Sequence, residues 1–363
     1  MEEDAPILEI EPARLPQIEK VYDYFVTTPG GLDVFAAKEL RALRGVESLR
    51  IDRRRRQTRI HFRYDRSPSR LLGLRSVAGV FADLGQVEGV TVGRPGMLRI
   101  AEALSHIDIT PAIALYDVLN GPQDTPGIRV TCTVGRGHRF TSGELQQVLL
   151  VVLAERYDLD PDEQSGPYNL HVSIDGRRAR LGVRLGRPGT RDYVHASVGG
   201  ELPPIVAAVM AQIGRPRRGE SWIDPACRNG ANLIEAGLIE EVRLIAMDTH
   251  DACIRAASIN AGAAGLSLAT SLWDGMCLPF RQASADCLVA DLTRRNEFRD
   301  VSAMLLACRE ALKRSGRAVV VCDRDRDLED RIKVGSFPYE LVGRDPIHLR
   351  GLSPSIYHFR AST

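Results

Sequence analysis

Four aspartates in the second half of the chain stand where chemistry is easiest to build. Asp224 closes the apolar run "SWID", Asp248 closes "RLIAMD", Asp274 follows "LSLATSL", and Asp291 sits near the end of "DCLVADL". Each run reads as a strand. In an open α/β sheet, ligands bind outside the C-terminal ends of the strands. Acidic groups in register at successive strand ends therefore outline a crevice for a polar cofactor. A carboxylate after the second strand commonly holds ribose hydroxyls. Any one of the four would also serve as a helix N-cap, but four in step with the strands favour a ligand site.

The first of these strand ends opens into "WIDPACRNGANLIEA", Trp222 to Ala236. It runs from strand to turn to helix, with Gly230 at the helix entry. A dinucleotide pyrophosphate asks for closer backbone approach than a loop with one clear glycine allows, and G-x-G-x-x-G is absent. A cofactor with ribose and adenine but no phosphate, such as S-adenosylmethionine, fits better.

The elements that must position this crevice follow a regular rhythm. From residue 221 onward strands alternate with helices expected over 231–241, 250–264 and 297–314. "RAVVVCD", "YELVGRDPIHL" and "SIYHFRA" add strands, the last two as an edge hairpin across "GLSPS". Such alternation implies a parallel sheet with helices on both faces. The first half has a different grain. "YDYFVTTP" (22–29) reads as a strand, 30–45 as a helix closed by Gly45, and "SLRID" and "TRIHFRYD" as strands around the basic tip "RRRR" (53–56). Residues 69–85 have helical spacing, their apolar end passing towards a strand. "RIAEALSHI" and "PAIALYDVLN" read as short helices, and "GIRVTCTV" (127–134) as a strand leading into the basic turn "GRGHRF" (135–140). Thr141 and Glu144 form a capping-box pattern for a helix over 141–157. Residues 168–185 read as a hairpin turning at Asp175-Gly176. "PPIVAAVMAQIG" is a helix opened by proline, followed by the connector "RPRRGE" (215–220).

The 44% hydrophobic and 26% charged content is that of a globular protein, and 363 residues suffice for two or three domains. A net charge of +1 supplies no global field towards nucleic acid, so any such binding must come from local patches. Lysine occurs only at 20, 38, 313 and 333. The arginine excess suits bidentate phosphate contacts, and GC-rich codon usage would produce it equally. The seven cysteines contain no C-x-x-C pair, which argues against a zinc knuckle, and their odd, scattered count suits a reducing cytoplasm. The N-terminus "MEEDAPILEIEP" has no signal-peptide pattern, and no apolar run nears the ~18 residues of a membrane span. The expectation is a cytoplasmic protein with no metal and no membrane attachment.

Several stretches resemble one family in its own order. "DPACRNGANLIEA" is similar to the "DPFCGSGTILIEA" pattern of THUMP domain-containing class I S-adenosylmethionine-dependent RNA methyltransferases, of the tRNA and rRNA guanine-N2 type. "AMDTHDACIRAASINAGAAGL" (246–266) resembles the family's second motif, an Asp at a strand end followed by a helix with "A…N…AG". "TTPGGLDVFAAKEL" (27–40) is similar to its N-terminal "TTPGLEELLAEEL" signature, and "RVTCTVGRGHRFTSGEL" (129–145) resembles its THUMP strand, "KHRFTS" turn and helix. "RDYVHASVGGELPPIVAAVM" (191–210) looks like its connector. The likeness runs from 22 to about 361. After an acidic, proline-containing extension (1–20) read from composition, it implies an N-terminal ferredoxin-like α+β domain (21–90), a THUMP RNA-binding domain (91–190), a connector with a helix (191–220) and a Rossmann-like methyltransferase domain (221–363).

The resemblance implies an enzyme that methylates a guanine exocyclic amine in RNA, with the acceptor end of tRNA as partner. Asp224, Pro225, Cys227, Asn229, Gly230, Asp248 and Asp274 would then hold the cofactor, and Asp291 would orient the amine. Arg136, His138 and Arg139 would meet RNA backbone, or simply form a solvated turn; Tyr193 and His195 read as structural. Two departures fall on the same crevice. Arg228 stands where the pattern has glycine, with Asn229 for serine and Ala231 for threonine. In the catalytic motif Asp291 keeps the first acceptor, but Leu292 and Thr293 replace prolines and Arg294 replaces the aromatic that stacks on a flipped base. Arginine also stacks on bases. Arg228 is open to three roles: swinging outward, pairing with the cofactor carboxylate or blocking the pocket. The alternative to an active enzyme is a descendant that binds RNA without methylating it.

Overall fold

In the computed structural model, which describes residues 22–54, 56–123, 127–157, 159–161, 166–273, 281–293, 301–323, 326–335, 337–349 and 352–362, the chain runs as follows. The first half comprises β1 (Tyr22–Pro29), α1 (Asp33–Ala42), β2 (Val46–Asp52), β3 (Gln57–Tyr64), α2 (Ser69–Leu72), β4 (Gly79–Glu88), α3 (Arg94–His106), α4 (Thr110–Asn120), β5 (Gly127–Val134), α5 (Ser142–Tyr157), β6 (Asp160–Pro161), β7 (Tyr168–Asp175) and β8 (Arg178–Gly186). The second half comprises α6 (Pro204–Gly214), β9 (Ser221–Asp224), α7 (Ala231–Gly237), β10 (Arg243–Asp248), α8 (Asp251–Ala263), β11 (Leu268–Leu272), β12 (Ala285–Asp291), α9 (Val301–Arg309), β13 (Leu312–Cys322), α10 (Arg326–Val334), β14 (Tyr339–Pro346) and β15 (Ser355–Ala361). The acidic extension over 1–20, Asp274 and Arg294 lie outside the described residues.

Two compact units result. One holds residues 22–23, 63–70 and 81–185; the other holds 24–62, 71–80 and everything from Gly186 on. In the first, strands run in the order β4-β8-β7-β5-β6, with β5 parallel to β7 and β7 antiparallel to β8. The hairpin turns at Gly176-Arg177, one residue beyond the expected Asp175-Gly176, since Asp175 still pairs with Arg178; Gly176 takes a left-handed φ of 55°. The α5 helix lays Leu145, Leu149 and Leu153 onto β5. Its capping box is closed in both directions: the Glu144 amide donates to Thr141 Oγ1 at 3.2 Å, and the Thr141 amide donates to Glu144 Oε2 at 2.7 Å.

The second unit carries the alternating half of the sequence as a doubly wound sheet, ordered β11-β10-β9-β12-β13-β15-β14. The first five strands are parallel, and β15 returns antiparallel to both β13 and β14. Period-two alternation splits each strand between two buried layers. Trp222, Ala246, Cys287, Val289, Val319 and Val321 face α6, α7 and α8, whereas Ile223, Met247, Leu288, Ala290, Ala318 and Val320 face α9 and α10. Burial on both faces is what makes these strands continuous apolar runs.

Three stretches differ from expectation. Residues 69–85 start helical and end in a strand as expected, but the helix is a single turn: α2 ends at Leu72 and β4 begins at Gly79. The reason lies elsewhere in the chain. The Glu39 carboxylate takes the amides of Arg75 (3.1 Å) and Ser76 (2.9 Å), and Thr27 O takes the Ala78 amide (2.7 Å), so the donors a helix would use are claimed by α1 and β1. Helix α10 has no counterpart among the elements expected from sequence. In "RDLEDRIKV" only Leu328, Ile332 and Val334 are apolar, and charge hides the periodicity. The helix expected over 297–314 ends at Arg309, and β13 starts at Leu312, where Asp286 binds Lys313 Nζ at 2.8 Å.

Candidate active site

The crevice arises from unequal strand lengths. Asp224, the last residue of β9, pairs with Ala246 of β10, and Ile223 pairs with Leu288 of β12. Asp248 and Asp291 therefore reach two residues further than Asp224 on either side, or about 7 Å at the usual strand rise. The 225–230 loop leaves β9 at this notch. Chain order reverses here, since β10 lies on one side of β9 and β12 on the other, and this switch point is where open α/β sheets bind ligands.

Asp224 is fully buried and serves the loop itself. It accepts the Ala226 amide at 3.0 Å and Asn232 Nδ2 at 2.9 Å. Burial pushes its carboxyl up to about 7, the two hydrogen bonds oppose the shift, and Asp248 and Asp291 add to it. Cys227 is buried, its amide bound to Met247 O at 2.9 Å, and burial followed by the nearby aspartates keeps its thiol protonated. Gly230 takes a φ of 81°, and a Cβ there would lie 3.0 Å from that of Ala257. Arg228 also sits in the left-handed region, at φ 49°. A non-glycine residue there costs on the order of 1–2 kcal/mol, which is the physical reason such a loop asks for glycine at this place.

Asp248 closes β10 and is held through both of its oxygens. Its Oδ2 accepts the Arg228 amide at 3.0 Å and its Oδ1 the His250 amide at 3.1 Å. Each oxygen keeps a second lone pair, so the carboxylate is held firmly and can still accept from a diol. Asp291, on the other wall, accepts the Thr293 amide (2.9 Å) and hydroxyl (2.6 Å) through Oδ1, leaving Oδ2 as its free acceptor among the described residues. Burial raises its pKa, while the Thr293 bonds and the Arg228 guanidinium pull it back. The structure thus brings Asp224, Pro225, Cys227, Asn229, Gly230, Asp248 and Asp291 to one notch. The Arg136–Arg139 turn belongs to the other compact unit. Buried Tyr193 donates its hydroxyl to Glu235 Oε1 at 2.9 Å, alongside Arg191 Nε at 2.8 Å.

Asn260 is the residue that sequence reasoning passed over. Fully buried in α8, it accepts the amides of His195 (2.9 Å) and Ala196 (2.8 Å) through Oδ1. Through Nδ2 it donates to the carbonyls of Ala196 (2.9 Å) and Asn229 (3.0 Å). It ties the loop to the connector, and the signal was present as the "N" of "A…N…AG". Arg228 adds a second tie, donating from Nη1 to Gly199 O at 2.6 Å.

A doubly wound sheet with an acid-walled notch at its switch point, and no phosphate loop, defines the Rossmann-like methyltransferase fold. Comparison agrees: residues 191–339 match the UPF0020 family, RMKL-like, methyltransferase domain. This part of the chain resembles a methyltransferase domain. The tRNA (guanine(6)-N2)-methyltransferase of Thermus thermophilus is 30% identical over 100 residues, covering 27% of this chain and 30% of that protein. The chain thus aligns with under a third of the length of this curated relative. Among solved structures, TrmN from Thermus thermophilus superposes with a TM-score of 0.76 at 22% identity, over 94% of this chain and 100% of that one. SMU.472, crystallised with SAH, gives 0.69 at 14% identity over 95% and 99%. At these identities the structures establish the fold. The cofactor of such a domain is S-adenosylmethionine, and the notch fits it: Asp248 offers acceptors for ribose hydroxyls, and Gly230 leaves no side chain in the turn.

Proposed function

We propose that the chain is an S-adenosylmethionine-dependent RNA methyltransferase that modifies the exocyclic amine of guanine, with tRNA as its substrate. The observation that carries this reading is the pairing of Asp248 and Asp291 on opposite walls of the β9 notch. One is suited to a ribose, the other to an amine. The name of the Thermus relative supports guanine in tRNA as the target.

In this reading Asp248 and the 225–230 loop hold the cofactor, whose sulfonium supplies an electrophilic methyl group. Asp291 accepts a hydrogen bond from the target amine through Oδ2, turning the nitrogen lone pair towards the methyl carbon and taking up the proton that the methylated nitrogen sheds. Thr293 fixes the rotation of that carboxylate. Positioning of this kind supplies most of the rate when the electrophile is already reactive.

The RNA grip is assigned to the THUMP-like region at 91–190. There the turn containing Arg136, His138 and Arg139 meets two further loops: the Arg139 amide binds Val92 O at 2.8 Å, the Val90 amide binds Arg177 O at 2.9 Å, and His138 Nε2 lies 2.9 Å from Gly176 O. Arg136, Arg139 and Arg177 are exposed on these turns, as are Arg94 at the start of α3 and Arg178 at the start of β8, the last pairing with Glu88 at 3.3 Å. Three segments thus supply a local basic surface of the kind that backbone contacts require on a chain of near-zero net charge.

Incubating the purified chain with labelled cofactor and unmodified tRNA, then resolving the nucleosides by mass spectrometry, tests this proposal. N2-methylguanosine is the expected product. A different methylated nucleoside would overturn the guanine assignment. Cofactor binding without transfer onto tRNA or rRNA would favour the RNA-binding, non-methylating alternative.

A further inference from the structure

A cavity of about 110 Å³ opens beside the motif loop, lined by Arg228, Glu201, Thr293, Leu349, Leu352 and Pro354 among others. Its two ionic residues are not paired with each other. Arg228 spends one nitrogen on Gly199 O; its buried Nε has no hydrogen-bond partner, and it forms no ion pair among the described residues. Glu201 uses a single oxygen, Oε1, to accept from Ser197 Oγ (2.6 Å), the Gly199 amide (2.9 Å) and the Val198 amide. Oε2 receives no bond from the described residues. Burial works against ionisation of Glu201, but the Ser197 hydroxyl and the turn amides outweigh it and hold the group below the usual glutamate value. Two residues of opposite charge, each with unused hydrogen-bonding capacity among the described residues, therefore line one cavity, beside an apolar wall of two leucines and a proline.

That arrangement complements a zwitterion. A neutral nucleobase would cover both ionic groups without supplying counter-charge, which is costly. An α-amino acid supplies one charge of each sign, and the leucines suit a short aliphatic stem. We propose that this cavity receives the amino-acid end of S-adenosylmethionine, with Arg228 binding its carboxylate and Glu201 its ammonium. The inference rests on the methyltransferase reading above. It turns the residue that breaks the glycine pattern into a ligand of this chain's own: the strained backbone is retained because the side chain is used.

Calorimetry on the full chain separates the outcomes. S-adenosylhomocysteine carries the amino-acid end; methylthioadenosine keeps the adenosine and sulfur but lacks it. Arg228→Gly suits the left-handed backbone, so the loop should keep its shape. It should weaken S-adenosylhomocysteine binding by about tenfold or more, the scale of one charge-assisted hydrogen bond, while methylthioadenosine stays within about twofold. Arg228→Lys should restore part of the loss, and Glu201→Gln should show the same selectivity between ligands. Unchanged or tighter S-adenosylhomocysteine binding by Arg228→Gly would overturn the proposal and mark Arg228 as an obstruction. Equal losses for both ligands would overturn it as a general loop defect. If the folded wild-type chain binds S-adenosylhomocysteine in neither calorimetry nor thermal shift, the methyltransferase reading fails together with this one.

Discussion

At the scale of single residues, the walls of the notch differ in how they titrate. Burial raises the Asp291 pKa. As an amine acceptor it must be ionised, so activity should be lost as pH falls through this raised value. The acid limb of kcat/KM against pH should lie above the ordinary carboxylate range, and Asp291→Asn, which accepts without titrating, should abolish that limb while lowering the rate. A limb that persists in the variant would assign it to another group. Asn260 makes a complementary case. Asn260→Ala removes the donor to the buried Asn229 carbonyl and the partners of the half-buried Ala196 amide and carbonyl, while the exposed His195 amide keeps its bond to Tyr193 O. A buried group left without a partner costs about 1–3 kcal/mol, so we expect the fold to be destabilised by about that much, and S-adenosylhomocysteine affinity to fall with it. Thermal unfolding and calorimetry on one preparation check both. Asp224, Asp248 and Asp291 were legible in the sequence because strand ends and acid residues are both local signals. Asn260 was marked only as the "N" of a motif; its role was not legible, because its four partners lie at 195–196 and 229 and only the fold brings them to it.

At the scale of elements, the alternating half was the more legible, since burial on both sheet faces writes itself into the sequence as apolar runs. Failures came where distant residues decide. Glu39 claims backbone amides more than thirty positions away and cuts the helical spacing of 69–85 short. The "TTPGG" turn gives a further example of long-range constraint. Gly31 has a φ of 92°, a Cβ on it would lie 2.1 Å from Pro346 O, and the neighbouring Gly30 O accepts the His348 amide at 2.9 Å. The N-terminal turn is thus seated against the end of β14, next to the loop carrying Leu349 and Leu352. Gly31→Ala combines a disfavoured backbone with a steric clash, and should destabilise by about 2 kcal/mol or more. Gly137→Ala, equally left-handed at φ 100° but with nothing within 4 Å of its Cβ, is the control and should cost less. Equal melting temperatures for the two variants would remove the packing explanation and leave backbone conformation alone.

At the scale of the whole molecule, charge is the quantity to follow. A net charge of +1 means that RNA affinity, if the chain has it, must come from a few clustered arginines rather than from the surface at large. Composition cannot reveal such a cluster, because Arg94, Arg136, Arg139, Arg177 and Arg178 come from three segments separated by about forty positions each. Neutralising Arg136, His138 and Arg139 together should weaken tRNA binding at low salt and flatten the dependence of log affinity on log salt. The slope should fall by about 0.7–0.9 for each phosphate no longer neutralised, or roughly 1.4–2.7 for two or three phosphates. The effect should be nearly independent of RNA sequence, since backbone contacts position without specifying, and S-adenosylhomocysteine affinity should be unchanged. Filter binding across a salt series decides it: a slope equal to that of the wild type would remove this turn from the RNA interface, and the search would pass to Arg94, Arg177 and Arg178.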